Sequence, residues 1–355
     1  MRIGILTSVH TQVLKYCVED LEWGFNKIGH KVEVFREDSR WCDYDGDQST
    51  AEDFIDFLDD WQPELMVQFD GLRTNHPYAG VPDDIPWVCW VLDRLPWLQQ
   101  SRYIKPLYKN VNITLAIFPE LRRELIEQGY PADMTHTMTL GVNTDLFNLT
   151  PELPQSRFCC EIGFCTRLIS QMPDSRKRTR MAAAMEAIST GRRVHLYGDG
   201  WKEEGEPWMY HYQGKVDPRR ELKACFQQAD LTLHANEDTH WHMRVLECIA
   251  SGGRIASYDC HGKPRSYPYP MVALFKTSSD LERIVKEIQW SRAEDSHRQT
   301  SEWQHEWIRK NHGYDVKARR ILELVEDAKT RQKRSAEQIP IPVSVACDCN
   351  WRGHH

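Results

Sequence analysis

Residues 212–253 have the sequence YQGKVDPRRELKACFQQADLTLHANEDTHWHMRVLECIASGG. Their pattern predicts a strand, a helix, a second strand and a second helix, and the last helix begins near Arg244 with an apolar face. Arg244 and Glu247 are three residues apart, so their side chains lie on one face of this helix beside its N-terminus. The sequence therefore places a guanidinium and a carboxylate together at a helix start.

This corner suits a diphosphate attached to a ribose. Helix N-terminal amides and the helix dipole attract phosphate oxygens, an arginine adds a charged fork, and a carboxylate accepts hydrogen bonds from ribose hydroxyls. A nucleotide-sugar contains all of these groups. The alternative interpretation is a surface helix with an ordinary i,i+3 ion pair.

Apolar runs alternate with helical stretches through the first half of the chain. RIGILT, KVEVF, ELMVQF, IPWVCWVL and ITLAIF are predicted strands. The helix between the first two carries Leu14, Cys17, Leu21, Phe25 and Ile28 on one side. Continuous apolar strands joined by helices predict a parallel sheet that is covered on both faces and binds ligands at the carboxyl ends of its strands.

The alternation stops at residues 148–156, NLTPELPQS, and restarts with the predicted strands CCEIGF, RVHLYG, DLTLHA and GRIASY. We therefore predict an α/β protein with two doubly wound, Rossmann-like domains and a cleft between them. The predicted boundaries are 1–150 for an acceptor domain and 157–312 for a nucleotide-sugar domain. A C-terminal helix over 313–334 and a tail over 335–355 follow.

Composition indicates a soluble globular protein. The 355 residues are 41% hydrophobic and 27% charged, and no apolar run approaches the roughly 18 residues of a membrane-spanning helix. The start of the chain lacks the features of a signal peptide, so a cytoplasmic location is expected. Eleven scattered cysteines without a C-x-x-C pair are typical of reduced thiols.

The charge is uneven between the two halves. Residues 1–150 carry 13 Lys+Arg against 24 Asp+Glu, a balance of −11, whereas the remaining residues have a balance of +4. Binding to a nucleic-acid backbone requires a basic surface, so the charge of the predicted acceptor domain argues against DNA.

The motifs along the chain resemble those of GT-B glycosyltransferases. They are VNTDLF before the linker, G-F-x-x-R at Gly163, Y-G-D-G at Tyr197, G-K-V at Gly214 and RVLECIASGG at Arg244. The last motif, with a late H-x-Y segment, is similar to spore-maturation-type glycosyltransferases. D-R-L-P at residues 93–96, G-K-V and R-V-x-E are similar to phage DNA β-glucosyltransferases.

The resemblance implies roles for particular residues. Gly163 to Arg167 would form the first turn of the second domain and receive the diphosphate, together with Gly198. Val216, next to Lys215, would hold the nucleobase through its backbone. Arg244 would bind the phosphates, and Glu247 the ribose hydroxyls.

Downstream of that turn, Arg176 or Arg178 is a second candidate ligand for the phosphates. Their cluster, DSRKRTR, is equally explained as the solvated start of a helix.

The resemblance also bears on the reaction. Retaining relatives carry an acidic residue eight positions before the ribose glutamate, where this chain has Thr239, and Glu237 lies two positions too early. An inverting single displacement is therefore expected, in which a base removes a proton from the acceptor hydroxyl. Asp93, at the end of an apolar strand, is the candidate base, and His10 is its rival. The alternatives are a capping or ion-paired role for Asp93 and a loop position for His10.

No metal or other cofactor is expected, because helix amides and arginines can stabilise a departing diphosphate. His240 and His242 lack convincing partners for a metal, and a position that lines the cleft or is exposed explains them better.

The expected reaction is transfer from a UDP-sugar to a hydroxyl. D-R-L-P favours 5-hydroxymethylpyrimidine in phage-type DNA as the acceptor, and a protein, spore-coat or surface-glycan acceptor is the alternative. A sugar-nucleotide epimerase and a non-catalytic nucleotide-sugar binder with the same fold remain further alternatives.

Overall fold

The computed structural model describes residues 1–8, 12–37, 48–69, 85–92, 112–168, 174–236, 242–260, 271–293 and 296–337. Within these ranges the chain forms two parallel sheets flanked by helices. This is the predicted α/β architecture, and each sheet collects the strands of one half of the chain.

The first sheet has six parallel strands in the order β2-β1-β3-β4-β5-β6. The strands are β1 (Arg2–Ser8), β2 (Lys31–Glu37), β3 (Leu65–Phe69), β4 (Trp87–Val91), β5 (Asn112–Ala116) and β6 (Thr135–Thr137). The helices of this half are α1 (Gln12–Lys27), α2 (Gln48–Trp61) and α3 (Pro119–Glu127). Every residue of β3, β4 and β5 is buried, which explains why these strands are continuously apolar.

The second sheet has five parallel strands in the order β11-β10-β9-β7-β8. The strands are β7 (Cys160–Cys165), β8 (Val194–Tyr197), β9 (Ala229–His234), β10 (Ile255–Tyr258) and β11 (Val272–Phe275). The helices are α4 (Asp174–Ser189), α5 (Trp208–His211), α6 (Leu222–Gln228), α7 (Met243–Ala250), α8 (Ser278–Ala293) and α9 (Ser296–His312). The strands β6 and β11 were not among those predicted from the sequence.

In both sheets, the direction in which the chain adds successive strands reverses at the first strand. The chain passes from β1 to β2 on one side and then to β3 on the other, and it passes from β7 to β8 and then to β9 in the same way. Open parallel sheets bind ligands in the crevice at such a reversal, outside the carboxyl ends of the strands. In the second sheet this crevice lies between β7 and β9.

The predicted strand at the start of residues 212–253 is not formed. Tyr212 makes a single bridge to Leu196, and the residues that follow form a loop as far as α6. Gln213 donates its backbone N–H to the Leu196 carbonyl at 2.9 Å, so β8 fixes the start of this loop without a ladder. The helix, strand and helix predicted after it are present as α6, β9 and α7.

The final helix, α10 (Tyr314–Glu337), returns to the first sheet. Tyr314, Ala318, Ile321 and Val325 belong to the core formed by β1, β3 and β4. A methyl group added at Gly24 of α1 would lie 2.5 Å from the Tyr314 carbonyl oxygen, so glycine allows the two helices to touch. The two connections between the halves meet where Val142 pairs with Gly313.

Candidate active site

A cavity of about 300 Å³ lies at the carboxyl ends of β7 and β9. Its walls come from the turn after β7, the loop after β8, the residues after β9 and the first turn of α7. Tyr16 of α1 adds a wall from the first half of the chain. Of the predicted donor residues, those that line the cavity are Arg167, Gly198, Lys215, Val216 and Arg244.

The turn after β7 begins later than the sequence suggested. Gly163 lies inside β7, paired with His195 and Thr232, so it is not part of the phosphate turn, and this prediction is wrong. A methyl group at Gly163 would lie 3.2 Å from the Ala229 Cβ atom, which gives this glycine a packing role between strands. The turn itself starts at Thr166 and presents Arg167 to the cavity.

Gly198 holds the loop after β8 close to that turn. Its φ of 111° is in the left-handed region, and an added Cβ atom would clash with the Thr166 carbonyl. Its backbone N–H donates to the Gly214 carbonyl at 3.0 Å. Only glycine allows these three backbone segments to meet, which explains the Y-G-D-G motif.

Helix α7 brings Arg244 and Glu247 into contact. The Arg244 Nη1 atom donates to Glu247 Oε2 at 3.1 Å. The Arg244 side chain is 27% exposed and lines the cavity, whereas that of Glu247 is 4% exposed and lies behind it. Burial raises the pKa of Glu247, and Arg244 and Arg219 oppose this effect.

The start of α7 is capped by a histidine. The His242 Nδ1 atom accepts a hydrogen bond from the Arg244 backbone N–H at 3.2 Å. The His242 ring lies 5.2 Å from the ring of His234, centroid to centroid, and both side chains line the cavity. Burial lowers the pKa of His242 well below its ordinary value, and His234 and nearby arginines lower it further.

Two further cations line the cavity, Arg180, which was not predicted, and Lys215, which was. Arg180 donates from Nη1 to the Arg167 carbonyl at 2.6 Å, and no sequence feature distinguishes it from the neighbouring arginines. Arg176 lies close enough to lower the pKa of His242 but does not line the cavity, and neither does Arg178. Lys215 forms an ion pair with Asp199 at 2.5 Å.

Arg157 holds the loop that carries Val216 in place. The Arg157 Nη1 atom donates to the Lys215 carbonyl at 3.1 Å, and Arg157 also pairs with Glu221. Val216 packs beside Cys165 and Tyr197 at the cavity wall. Within the described ranges, the backbone N–H and carbonyl of Val216 make no hydrogen bond, so both groups are available to a ligand.

Arg219, on the same loop, joins the two halves of the protein. Its guanidinium donates to Asp20 Oδ1 at 2.7 Å, to Glu19 Oε2 at 3.0 Å and to the Tyr16 carbonyl at 3.1 Å. Asn143 adds a hydrogen bond to Asp20 at 3.3 Å. Burial raises the pKa of Asp20 to about 6, although Arg219 opposes the shift. No sequence pattern indicated this contact, because its partners are far apart in the chain.

Several predicted residues lie outside the described ranges. These are Asp93 and His10, the candidate bases, and Thr239, Glu237 and His240 before α7. Among the described residues, Asp199 is the carboxylate that lines the cavity, and Lys215 neutralises it. The described part of the chain contains no group of three or more His, Cys, Asp or Glu side chains arranged to hold a metal ion. No helix in the same ranges is long and apolar enough to cross a membrane.

Comparison with known proteins identifies the fold. Residues 176–323 match a family described as glycosyl transferase-like, whereas no curated protein matches the sequence. Sucrose-phosphate synthase from Thermosynechococcus elongatus is similar in structure, with a TM-score of 0.64 at 14% identity over 95% of this chain and 100% of that chain. A glycosyltransferase from Rickettsia africae has a TM-score of 0.65 at 12% identity over 92% of this chain and 99% of that chain.

Anabaena HepE, solved with UDP and glucose, has a TM-score of 0.57 at 11% identity over 95% of this chain and 100% of that chain. At these identities the similarity establishes the fold, which is GT-B.

Asp20 makes the stability of the protein depend on pH. Because its pKa rises from 3.8 to about 6 on folding, the folded protein holds a proton in this interval that the unfolded chain releases. This contribution to the free energy of unfolding therefore falls by about 3 kcal/mol as pH rises through the interval. Asp20→Asn removes this pH-dependent contribution. The melting temperature of the variant should therefore rise relative to that of the wild type between pH 4 and pH 6.

The exposed substitution Asp53→Asn is the control and should show no such trend. A constant difference in melting temperature between Asp20→Asn and the wild type across the interval would contradict the assignment.

Proposed function

We propose that this GT-B protein is a glycosyltransferase that transfers a sugar from a UDP-sugar to an acceptor hydroxyl with inversion. The observation that carries the proposal is the cavity at the carboxyl ends of β7 and β9, where three arginines meet the start of α7. Arginines at a helix N-terminus are suited to a diphosphate, which is the leaving group of a nucleotide-sugar.

The diphosphate is bound by Arg167, Arg180 and Arg244, which line one cavity. Arg244 uses one guanidinium nitrogen for Glu247, so its other N–H groups remain for phosphate oxygens. The same positive charge stabilises the diphosphate as it departs, and the mechanism requires no metal.

The nucleoside is bound at the loop that carries Val216. A backbone N–H and carbonyl without hydrogen bonds match the adjacent acceptor and donor on the edge of uracil. Leu222 and Phe226 give the cavity apolar surface next to this loop. HepE has been solved with UDP and with UDP-glucose, which supports the choice of a uridine nucleotide here.

Glu247 accepts the ribose hydroxyls in this proposal. The Glu247 carboxylate lies behind the Arg244 guanidinium. The ribose of the donor contacts this carboxylate once the guanidinium has moved toward the phosphates. Burial raises the pKa of Glu247, and Arg244 and Arg219 oppose this shift by favouring the ionised form, which is the one that accepts two hydrogen bonds.

The reaction is a single displacement in which Asp93 removes the proton of the acceptor hydroxyl, with His10 as the rival base. The support is their sequence position, two residues after the ends of β4 and β1 respectively, strands that run parallel in the first sheet. The carboxyl ends of parallel strands share one edge of the sheet. Asp199 is less suitable, because Lys215 already occupies it.

Two observations bear on the identity of the acceptor, and they favour different classes. D-R-L-P favours a 5-hydroxymethylpyrimidine in DNA, whereas the balance of −11 over residues 1–150 favours a protein or glycan acceptor. Assays with one UDP-sugar and a panel of hydroxymethylated duplexes, unmodified duplexes, peptides and glycans distinguish them. Conversion of the UDP-sugar without any acceptor would identify an epimerase, and binding without turnover would identify a nucleotide-sugar binder.

Glu247→Ala should weaken binding of a UDP-sugar by about 1–3 kcal/mol, because a charged hydrogen-bond acceptor is lost. Calorimetric titration measures the affinity, and a thermal melt verifies that the variant is folded. Glu287→Ala is the matched control, since Glu287 also pairs with an arginine on a helix, at 2.9 Å, but is 62% exposed on α8. Equal affinities of Glu247→Ala and the wild type would exclude the ribose assignment.

Asp93→Asn should reduce turnover by about 10²–10⁴-fold, the usual contribution of a general base, while donor affinity stays nearly constant. Transfer to the best acceptor of the panel gives the rate, and NMR gives the anomeric configuration of the product. Normal turnover of Asp93→Asn with loss of activity in His10→Ala would assign the base to His10. A product that keeps the donor configuration would rule out the single displacement.

A further inference from the structure

The His242 side chain has one nitrogen in use and one available. It is half-buried, it lines the cavity, and its Nδ1 atom accepts a hydrogen bond from the Arg244 backbone N–H at 3.2 Å. A neutral imidazole has one acceptor nitrogen and one donor nitrogen, so an accepting Nδ1 places the proton on Nε2. The cap of α7 thus determines the tautomer of the ring.

The Nε2 atom makes no hydrogen bond within the described ranges. A polar atom without a partner is either fully buried or accessible to solvent. The Nε2 atom of His242 is not fully buried, so it is accessible. Because the side chain lines the cavity, its N–H group is available to a ligand bound there. Capping the helix accounts for one side of the ring and leaves the other without a structural role.

The surroundings of the ring keep it neutral and define its ligand. Burial, His234 and then Arg244, Arg180 and Arg176 lower the pKa of His242. The arginines that lower the pKa of His242 also attract anions. Two of them, Arg244 and Arg180, line the same cavity as His242. An anion bound by these guanidiniums therefore lies beside the imidazole.

We infer that His242 is a positioning residue that donates a hydrogen bond from Nε2–H to the diphosphate of the donor. The inference rests on the proposed function, because it assumes a nucleoside diphosphate in this cavity. A neutral donor orients one phosphate oxygen by direction, whereas the arginines attract the whole group by charge. The ring thereby sets the orientation of the diphosphate relative to α7.

Two substitutions separate this role from capping. Serine is a good N-cap residue, so His242→Ser keeps a cap for α7 and loses the Nε2–H donor, whereas His242→Ala loses both. His242→Ser should bind UDP about 10- to 100-fold more weakly than the wild type, the range for a hydrogen bond to a charged group. Its affinity for uridine, which lacks phosphate, should be unchanged. Calorimetry measures both ligands.

His305→Ser is the matched control at the other end of the same helix. The His305 Nδ1 atom lies 2.7 Å from the Ala250 carbonyl oxygen, at the last residue of α7. This variant should bind UDP like the wild type. Wild-type UDP affinity in His242→Ser would overturn the inference and leave His242 with the cap alone.

A spectroscopic signature tests the tautomer directly. Two-bond proton–nitrogen NMR spectra should show His242, identified by the loss of its signals in His242→Ser, as a neutral ring protonated at Nε2. Addition of UDP should shift these signals. A ring protonated at Nδ1 would overturn the inference, whereas a wild-type protein that binds neither UDP nor ADP would overturn the proposed function with it.

Discussion

The contact between Asp20 and Arg219 is the constraint on which the candidate site depends. It joins α1 of the first half to the loop that carries Val216, at 2.7 Å, and the Asp20 side chain is 2% exposed. Burying a carboxylate is costly unless it is paired, and the raised pKa of Asp20 shows that Arg219 offsets only part of this cost. The pair therefore specifies one arrangement of the two halves. In that arrangement Tyr16 closes one side of the cavity.

The same polar cluster extends to the base of the cavity. Burial raises the pKa of both Asp20 and Glu247, and Glu247 adds to the shift of Asp20. Arg219 opposes the shift of both carboxyls, and Arg244 opposes that of Glu247. Two buried acids are thus matched by two arginines, which limits the cost of burying charge next to the cavity. In the proposed function, a diphosphate that draws Arg244 toward itself changes this balance and links donor binding electrostatically to the contact between the halves.

Chain topology explains why such distant groups can meet. The chain crosses between the halves twice, and the crossings pair at Val142 and Gly313 before α10 packs on α1. The close approach of Gly24 to Tyr314 makes this packing specific. The first half is therefore completed by a helix from the far end of the sequence, and α1 is held in position from both sides by α10 and by Arg219.

The sequence by itself determined the features that depend on neighbouring residues. Apolar runs predicted nine of the strands, most clearly β3, β4 and β5, which are buried throughout and have no polar face. The i,i+3 spacing placed Arg244 beside Glu247 because helix geometry is local. It misplaced Gly163, since a glycine needed for packing inside a strand looks like a turn glycine, and it predicted a strand where residues after Tyr212 make only one bridge. Tertiary structure alone decided that Arg180 reaches the cavity, that Glu247 lies behind Arg244, and that Asp20 meets Arg219. These contacts arise from the packing of separate elements, and no sequence spacing encodes them.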